Sequence, residues 1–170
     1  MRESDLVKMA KGGDKEAFCR LYSLYKDRLY RYAYYRLGNY DDAQDAVSDC
    51  IVSAYEQIKN LRRAEAFSSW IFKILYAACS AYIKQQMRQR ELDDIDSVRQ
   101  SSNLFTIMDE SKTELAQALD ILSSDEKEIV LLSVVGGFTS KEISKITGLT
   151  AGSVRSKLSR SLAKMRNYLE

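Results

Sequence analysis

Arg155, Lys157, Arg160, Lys164 and Arg166 are the residues of this chain whose type and spacing point most directly to chemistry. Five cations within one short segment attract a polyanion, so the chemistry is recognition and not bond-making. Arginine suits bidentate contacts to guanine, and lysine mainly supplies charge to phosphate. The remaining positions of the segment, Val154, Leu158, Leu162, Met165 and Leu169, recur every three or four residues and are expected to be buried. A short helix must precede and aim this one. Thr139 and Glu142 form a capping box that starts it, Ile143 and Ile146 give it an apolar side, and Gly148 ends it. Thr150 is placed to cap the basic helix. Two helices joined by a short glycine-containing turn, the second one basic, form the helix-turn-helix pattern. An ordinary helical hairpin with a solvated basic face has the same periodicity, and both readings stay open on this evidence alone.

The residues that would make an enzyme are missing. The chain has no histidine, which removes the commonest general base and metal ligand. It has no glycine-rich phosphate loop and no nucleophile with a base at motif spacing. Asp41, Asp42, Asp45 and Asp49 cluster, but they occupy the first turns of an expected helix, where carboxylates complement the macrodipole. Cys19, Cys50 and Cys79 are single and far apart, which is neither a zinc pattern nor a disulfide framework and fits a reducing cytoplasm. No catalytic residue, metal or cofactor is therefore expected. With a charged N-terminus no signal peptide is expected, and no apolar run is expected to reach membrane-spanning length. Direct membrane insertion is not expected.

The elements that position these residues read as helices throughout. The 170 residues include no proline, which suits long uninterrupted helices. A short helix from Ser4 to Lys11 is ended by Gly12-Gly13, and Asp14 opens a long one to Leu37. Gly38-Asn39 separates this from a helix with the stripe Ala43, Ala46, Val47, Cys50, Ile51, Ala54, Tyr55 and Ile58. After a loop, Asn60 to Ala66, another helix reaches about Arg90, with Phe67, Trp70, Ile71, Ile74, Leu75, Ala78 and Tyr82 facing inward and Lys73, Tyr76, Ala77, Ser80 and Lys84 facing out. Periodicity fails from Glu91 to Ser111, although Leu104, Phe105 and Ile107 could dock. It resumes at Thr113 with a short helix, then a helix capped by Ser123 and Glu126 and ended by Gly136-Gly137. Charge divides the same way. Residues 1–90 hold 16 basic and 11 acidic side chains, 91–110 hold one and six, and 111–170 hold nine and seven. The expected fold is all-α: two small helical domains, 1–90 and 112–170, joined by a flexible acidic linker, 91–111, with the C-terminal domain a helix-turn-helix.

Two separated segments carry a resemblance. Asp41-Asp-Ala-Gln-Asp-Ala-Val-Ser-Asp-Cys-Ile through Phe67-Ser-Ser-Trp-Ile-Phe-Lys-Ile resembles the second conserved region of the sigma-70 family of bacterial RNA polymerase sigma factors. Leu122-Ser-Ser-Asp-Glu-Lys-Glu-Ile-Val through Gly152-Ser-Val-Arg-Ser-Lys-Leu-Ser-Arg resembles the fourth. The small extracytoplasmic-function (ECF) type is the one that fits. The fourth-region motif is shared by many helix-turn-helix domains, whereas the pair in this order is specific.

The resemblance implies a cytoplasmic subunit that binds core RNA polymerase and promoter DNA, in a family whose members are often held by an anti-sigma factor. The first domain would bind the polymerase clamp through Asp45, Ser48 and Asp49, where the family commonly has Gln and Glu in place of Ser48 and Asp49. It would melt the downstream element and hold the single strand with Arg62, Arg63, Trp70 and Lys73. Many members have asparagine where this chain has Ala77, which puts the usual base preference in question. The second domain would read the double-stranded upstream element through Ser153, Arg155, Ser156, Lys157, Ser159 and Arg160. The competing readings are a helix-turn-helix regulator with an N-terminal sensor or dimerisation domain, and a helical adaptor that binds only proteins.

Overall fold

The computed structural model describes residues 1–96 and 113–170. Eight α-helices are present among them: α1 Glu3–Lys11, α2 Lys15–Leu37, α3 Tyr40–Gln57, α4 Phe67–Asp96, α5 Glu114–Asp120, α6 Ser124–Val134, α7 Ser140–Thr147 and α8 Ala151–Leu169. Two single 3-10 turns, Ile58–Asn60 and Ala64–Ala66, carry the chain from α3 to α4.

Local chemistry sets most of the boundaries. Asp14 caps α2 by accepting from the Ala17 N–H, and Asn39 caps α3 by accepting from Asp42 N–H, each at 3.1 Å. Gly38 ends α2 at φ 72, a left-handed conformation open to glycine at little cost. Ser123 with Glu126, and Thr139 with Glu142, both form complete capping boxes.

Helices α1 to α4 pack on one another around Leu21, Tyr25, Leu29, Tyr32, Val47, Phe67, Ile71 and Leu75. Edge-to-face pairs lock this core, Tyr25 on Phe67 at 5.2 Å and Tyr32 on Phe72 at 6.0 Å between ring centroids. The Tyr25 hydroxyl donates to Glu3 Oε1 at 2.7 Å and ties α1 to the bundle. Helices α5 to α8 form a second unit, in which α5, α6 and α7 pack on α8.

The two units also pack on each other. Helix α4 lies against α7, and α2 against α6. This contact explains several departures from expectation. Phe72 and Cys79 are fully buried, and Tyr76 and Ser80 are half-buried although expected to face solvent, because α4 is covered from two sides. Helix α6 buries Glu128, Ile129, Val130, Leu131 and Leu132 in succession, since its two faces meet different units.

Two boundaries also differ. Helix α4 continues to Asp96, so residues 91–96 of the expected linker are helical. The rest of that linker, with Leu104, Phe105 and Ile107, lies outside the described residues. Contrary to expectation, the stretch Ala64–Asp93 is long and apolar enough to cross a membrane by length and composition alone. Its apolar residues Phe67, Ile71, Phe72, Leu75 and Cys79 are instead buried against other helices. The apolar stripe of α8 is shifted as well. Leu162 and Leu169 are exposed, and Ser161 is fully buried between Val154 and Met165. Seven residues after Val154 return within about 20° of it at 3.6 residues per turn, whereas eight overshoot by about 80°. Ser161 is the residue at that return, and its small side chain admits α6.

Candidate nucleic-acid interface

The basic helix α8 is aimed from its N-terminus. Gly148 ends α7 at φ 83, and Thr150 then caps α8, its hydroxyl accepting from the Ser153 N–H at 3.2 Å. Beyond this cap, Arg155, Ser156, Ser159 and Arg160 are exposed and together line one open depression. Arg160 Nε donates to the Ser156 carbonyl on its own helix at 3.3 Å. Ser153 and Lys157 are half-buried. Lys157 Nζ lies 3.7 Å from Asp125 Oδ2, and Lys164 Nζ lies 2.9 Å from Glu126 Oε2, so both lysines lean toward α6. The six candidates on α8 therefore divide. Four share one solvent-facing patch, and Lys157 is turned to Asp125, an exposed carboxylate in the first turn of α6.

Glu126 does three things at once. It completes the α6 capping box, pairs with Lys164, and accepts from Ser161 Oγ at 3.2 Å. The Lys164 hydrogen bond, followed by the Ser123 backbone N–H, lowers its carboxyl from the ordinary 4.5 to about 2.

A second basic surface lies at the start of α4. In the loop before it, Leu61 and Ala64 are buried and anchor the chain, which leaves Arg62 and Arg63 facing outward. Trp70 is half-buried, its ring 5.8 Å from that of Phe67. Arg62, Arg63, Trp70 and Lys73 line one cavity of about 230 Å³, and Lys145 and Ile146 from α7 form its far side. A larger groove of about 780 Å³ runs along α3 and α4 and includes Asp49, Trp70, Lys73 and Ala77. Trp70 and Lys73 are thus a wall shared by both hollows. Arg62 and Arg63 belong to one hollow and Ala77 to the other.

The acidic face of α3 adjoins the larger groove. Asp45, Ser48 and Asp49 are exposed. Asp42 is half-buried and accepts from Gln86 Nε2 at 2.7 Å, which ties α3 to α4. Burial, and then the charges of Asp49, Asp45 and Asp42, push the Tyr82 hydroxyl above its ordinary value. The three carboxylates therefore converge on one side of the bundle. No group of three metal-ligating side chains occurs among the described residues.

Two features of this region were absent from the sequence reading. Lys145 and Ile146 reach the wall of Arg62, Arg63, Trp70 and Lys73 from the other unit, and a buried ion pair, Arg36 with Glu128, joins α2 to α6. The signal for the pair was a charge standing within a buried stripe: Arg36 comes one turn after Tyr32, and Glu128 directly before Ile129.

A helical bundle with an aromatic and basic wall, followed by a helix-turn-helix unit with an exposed arginine and serine patch, defines a DNA-binding protein. Residues 21–89 match the family description Sigma-70 region 2, and residues 112–165 match Sigma-70, region 4. The chain is 32% identical over 148 residues to RNA polymerase sigma factor SigV of Bacillus subtilis, spanning 85% of this chain and 86% of that protein. It is 27% identical over 174 residues to ECF RNA polymerase sigma factor BldN of Streptomyces coelicolor, covering 99% of this chain and 66% of that one. Its fold is similar to that of the sigma factor RpoE in complex with the anti-sigma factor NepR from Bartonella quintana, with a TM-score of 0.70 and 23% identity. That likeness covers 89% of this chain and 96% of the other. The chain belongs to the sigma-70 family, as an RNA polymerase sigma factor of the ECF type. Members of this family are not enzymes. They direct transcription initiation by binding core RNA polymerase and promoter DNA. The match of the N-terminal unit to region 2 sets aside the readings as a sensor-bearing regulator or a protein-only adaptor.

Proposed function

We propose that this chain confers promoter specificity through two separate reading surfaces, acting in the cytoplasm on core polymerase. Residues 1–90 form the domain that binds polymerase and melts the downstream element. The acidic segment 91–111 connects it to the domain 112–170, which reads the upstream element. The observation that carries the melting role is the wall made by Arg62, Arg63, Trp70 and Lys73 around one hollow. A flipped base needs a ring to stack on, and its flanking phosphates need cations. Unstacking costs a few kcal/mol, and this combination offsets it. Ala77 brings a methyl group and no amide to the neighbouring groove, so base preference there rests on shape and not on hydrogen bonds.

Asp45, Ser48 and Asp49 form the polymerase contact, an exposed acidic face that costs the bundle nothing to present. On α8, Arg155 enters the major groove and Arg160 grips flanking phosphate, with Ser153, Ser156 and Ser159 bonding to phosphates or base edges. Lys157 adds phosphate charge once Asp125 releases it. An anti-sigma protein is a fitting regulatory partner, by analogy with the complex formed by the Bartonella relative.

The melting role is tested with permanganate, which modifies unpaired thymines. Holoenzyme carrying Arg62→Gln and Arg63→Gln should bind promoter DNA but open it slowly, with weak thymine reactivity. An unchanged footprint and opening rate would leave both arginines as surface charge.

A further inference from the structure

We propose that the smaller hollow, between α4 and α7, is a binding site for a free nucleoside diphosphate or triphosphate. Arg62, Arg63, Lys73 and Lys145 hold its phosphates, and its base stacks on Trp70. That this ligand competes with a melted strand rests on the function proposed above, whereas the binding itself does not.

Four cations from two units surround one cavity of about 230 Å³. Arg62 and Arg63 come from the loop before α4, Lys73 from the second turn of α4, and Lys145 from α7. All four are exposed, and none makes an ion pair among the described residues. Lys157 and Lys164, also in the second unit, each have a carboxylate partner. Among the described residues no carboxylate lines the cavity, and Glu65, the one acid of the loop 60–66, is not part of its wall. Like charges gathered at one hollow repel. An anion carrying several charges removes that repulsion, and the guanidinium forks suit phosphate oxygens.

The rest of the lining selects the kind of anion. Trp70 is half-buried, with Phe67 beside it, so its indole is held in place. A fixed aromatic ring stacks any base, because every base has a π-face. Ile146 is buried and adds an apolar surface on the far side. An inorganic anion leaves both side chains unused. Pockets for drug-sized ligands begin at about 300 Å³, so this hollow suits one small ligand with part of it in solvent. A nucleoside diphosphate or triphosphate brings about three or four negative charges near neutrality, which matches four cations. A DNA strand instead spreads one charge per nucleotide along its length. Arg62, Arg63, Trp70 and Lys73 are also the residues proposed to hold the melted strand, so one hollow cannot hold both. Nucleotide concentration then sets the fraction of chain free to receive a strand.

The test titrates ADP into the intact chain, with Trp70, its single tryptophan, as the reporter. ADP should quench the fluorescence to saturation. AMP should bind about tenfold more weakly, since one phosphate reaches fewer cations. Inorganic pyrophosphate should displace ADP and restore the fluorescence, because it has no ring to stack. Lys145→Gln and Arg63→Gln should each weaken ADP about tenfold, the loss of one charge-assisted hydrogen bond, with the thermal midpoint near that of wild type. Absence of saturable quenching overturns the site. Equal affinity for AMP and ADP overturns the phosphate grip. Wild-type affinity in Lys145→Gln overturns a site shared by both units. Oligothymidylate should displace ADP, and failure to do so overturns the competition. The permanganate footprint of holoenzyme is read without ADP. Normal opening by a chain that does not bind ADP therefore strikes this site alone, and ADP binding by a chain whose opening ignores Arg62 and Arg63 strikes the melting role alone.

Discussion

At the scale of single residues, Arg155 and Arg160 are proposed to make two kinds of DNA contact. They are five positions apart, which at 3.6 residues per turn leaves them about 140° from alignment. Both side chains nevertheless reach the same patch, with Ser156 and Ser159 between them, and Arg160 is drawn back to its own helix by the Ser156 carbonyl. Arg155, nearer the capped N-terminus, is the proposed base reader of the pair. Arg155→Ala should cost about 1–3 kcal/mol and relax preference at one upstream position. Arg160→Ala should weaken all sequences alike and lower the salt slope by about one unit. Holoenzyme affinities for single-base upstream variants at several salt concentrations distinguish the two. If Arg155→Ala weakens every variant equally, it is a phosphate anchor.

Two predictions belong to helices. The acidic face of α3 is exposed at Asp45 and Asp49, so reversing both charges should leave the bundle folded. Asp45→Lys with Asp49→Lys should lower affinity for core polymerase while the thermal midpoint stays near that of wild type. Undiminished polymerase binding would remove the face from the interface. The start of α6 depends on Glu126, whose carboxyl is depressed to about 2 by Lys164 and the Ser123 N–H. A folded value below the unfolded one means the carboxylate contributes stability that is complete above about pH 4.5 and is lost as pH falls toward 2. Melting curves should therefore show Glu126→Gln less stable than wild type near neutrality, with the difference shrinking through that acid window. A difference that is the same at both ends would mean the charge contributes nothing.

For the whole molecule, legibility followed the range of the interaction. Both capping boxes, the Asp14 and Asn39 caps and the Gly38 and Gly148 stops were readable, because each is settled within about four residues. The exposure of Asp45, Ser48 and Asp49 followed from helical period. The joint between the units was not readable. It rests on Arg36 with Glu128, 92 positions apart, and on Arg28 with Gly136, 108 apart, and neither spacing has a local signature. Tyr76 and Ser80, expected to face solvent, were misplaced for the same reason, since the second unit half-covers them. Ser161 was missed because a buried serine looks polar in a pattern search, although it makes two hydrogen bonds inside the second unit.

The central claim, that this chain gives core polymerase its choice of promoter, is tested most directly by reconstituted transcription. Purified chain is mixed with bacterial core polymerase and a library of promoter fragments, and the transcripts are sequenced. The account predicts transcripts from a subset sharing an upstream and a downstream element, absent when the chain is omitted and redistributed by Arg155→Ala. Transcripts that are no more selective than those of core polymerase alone would contradict it.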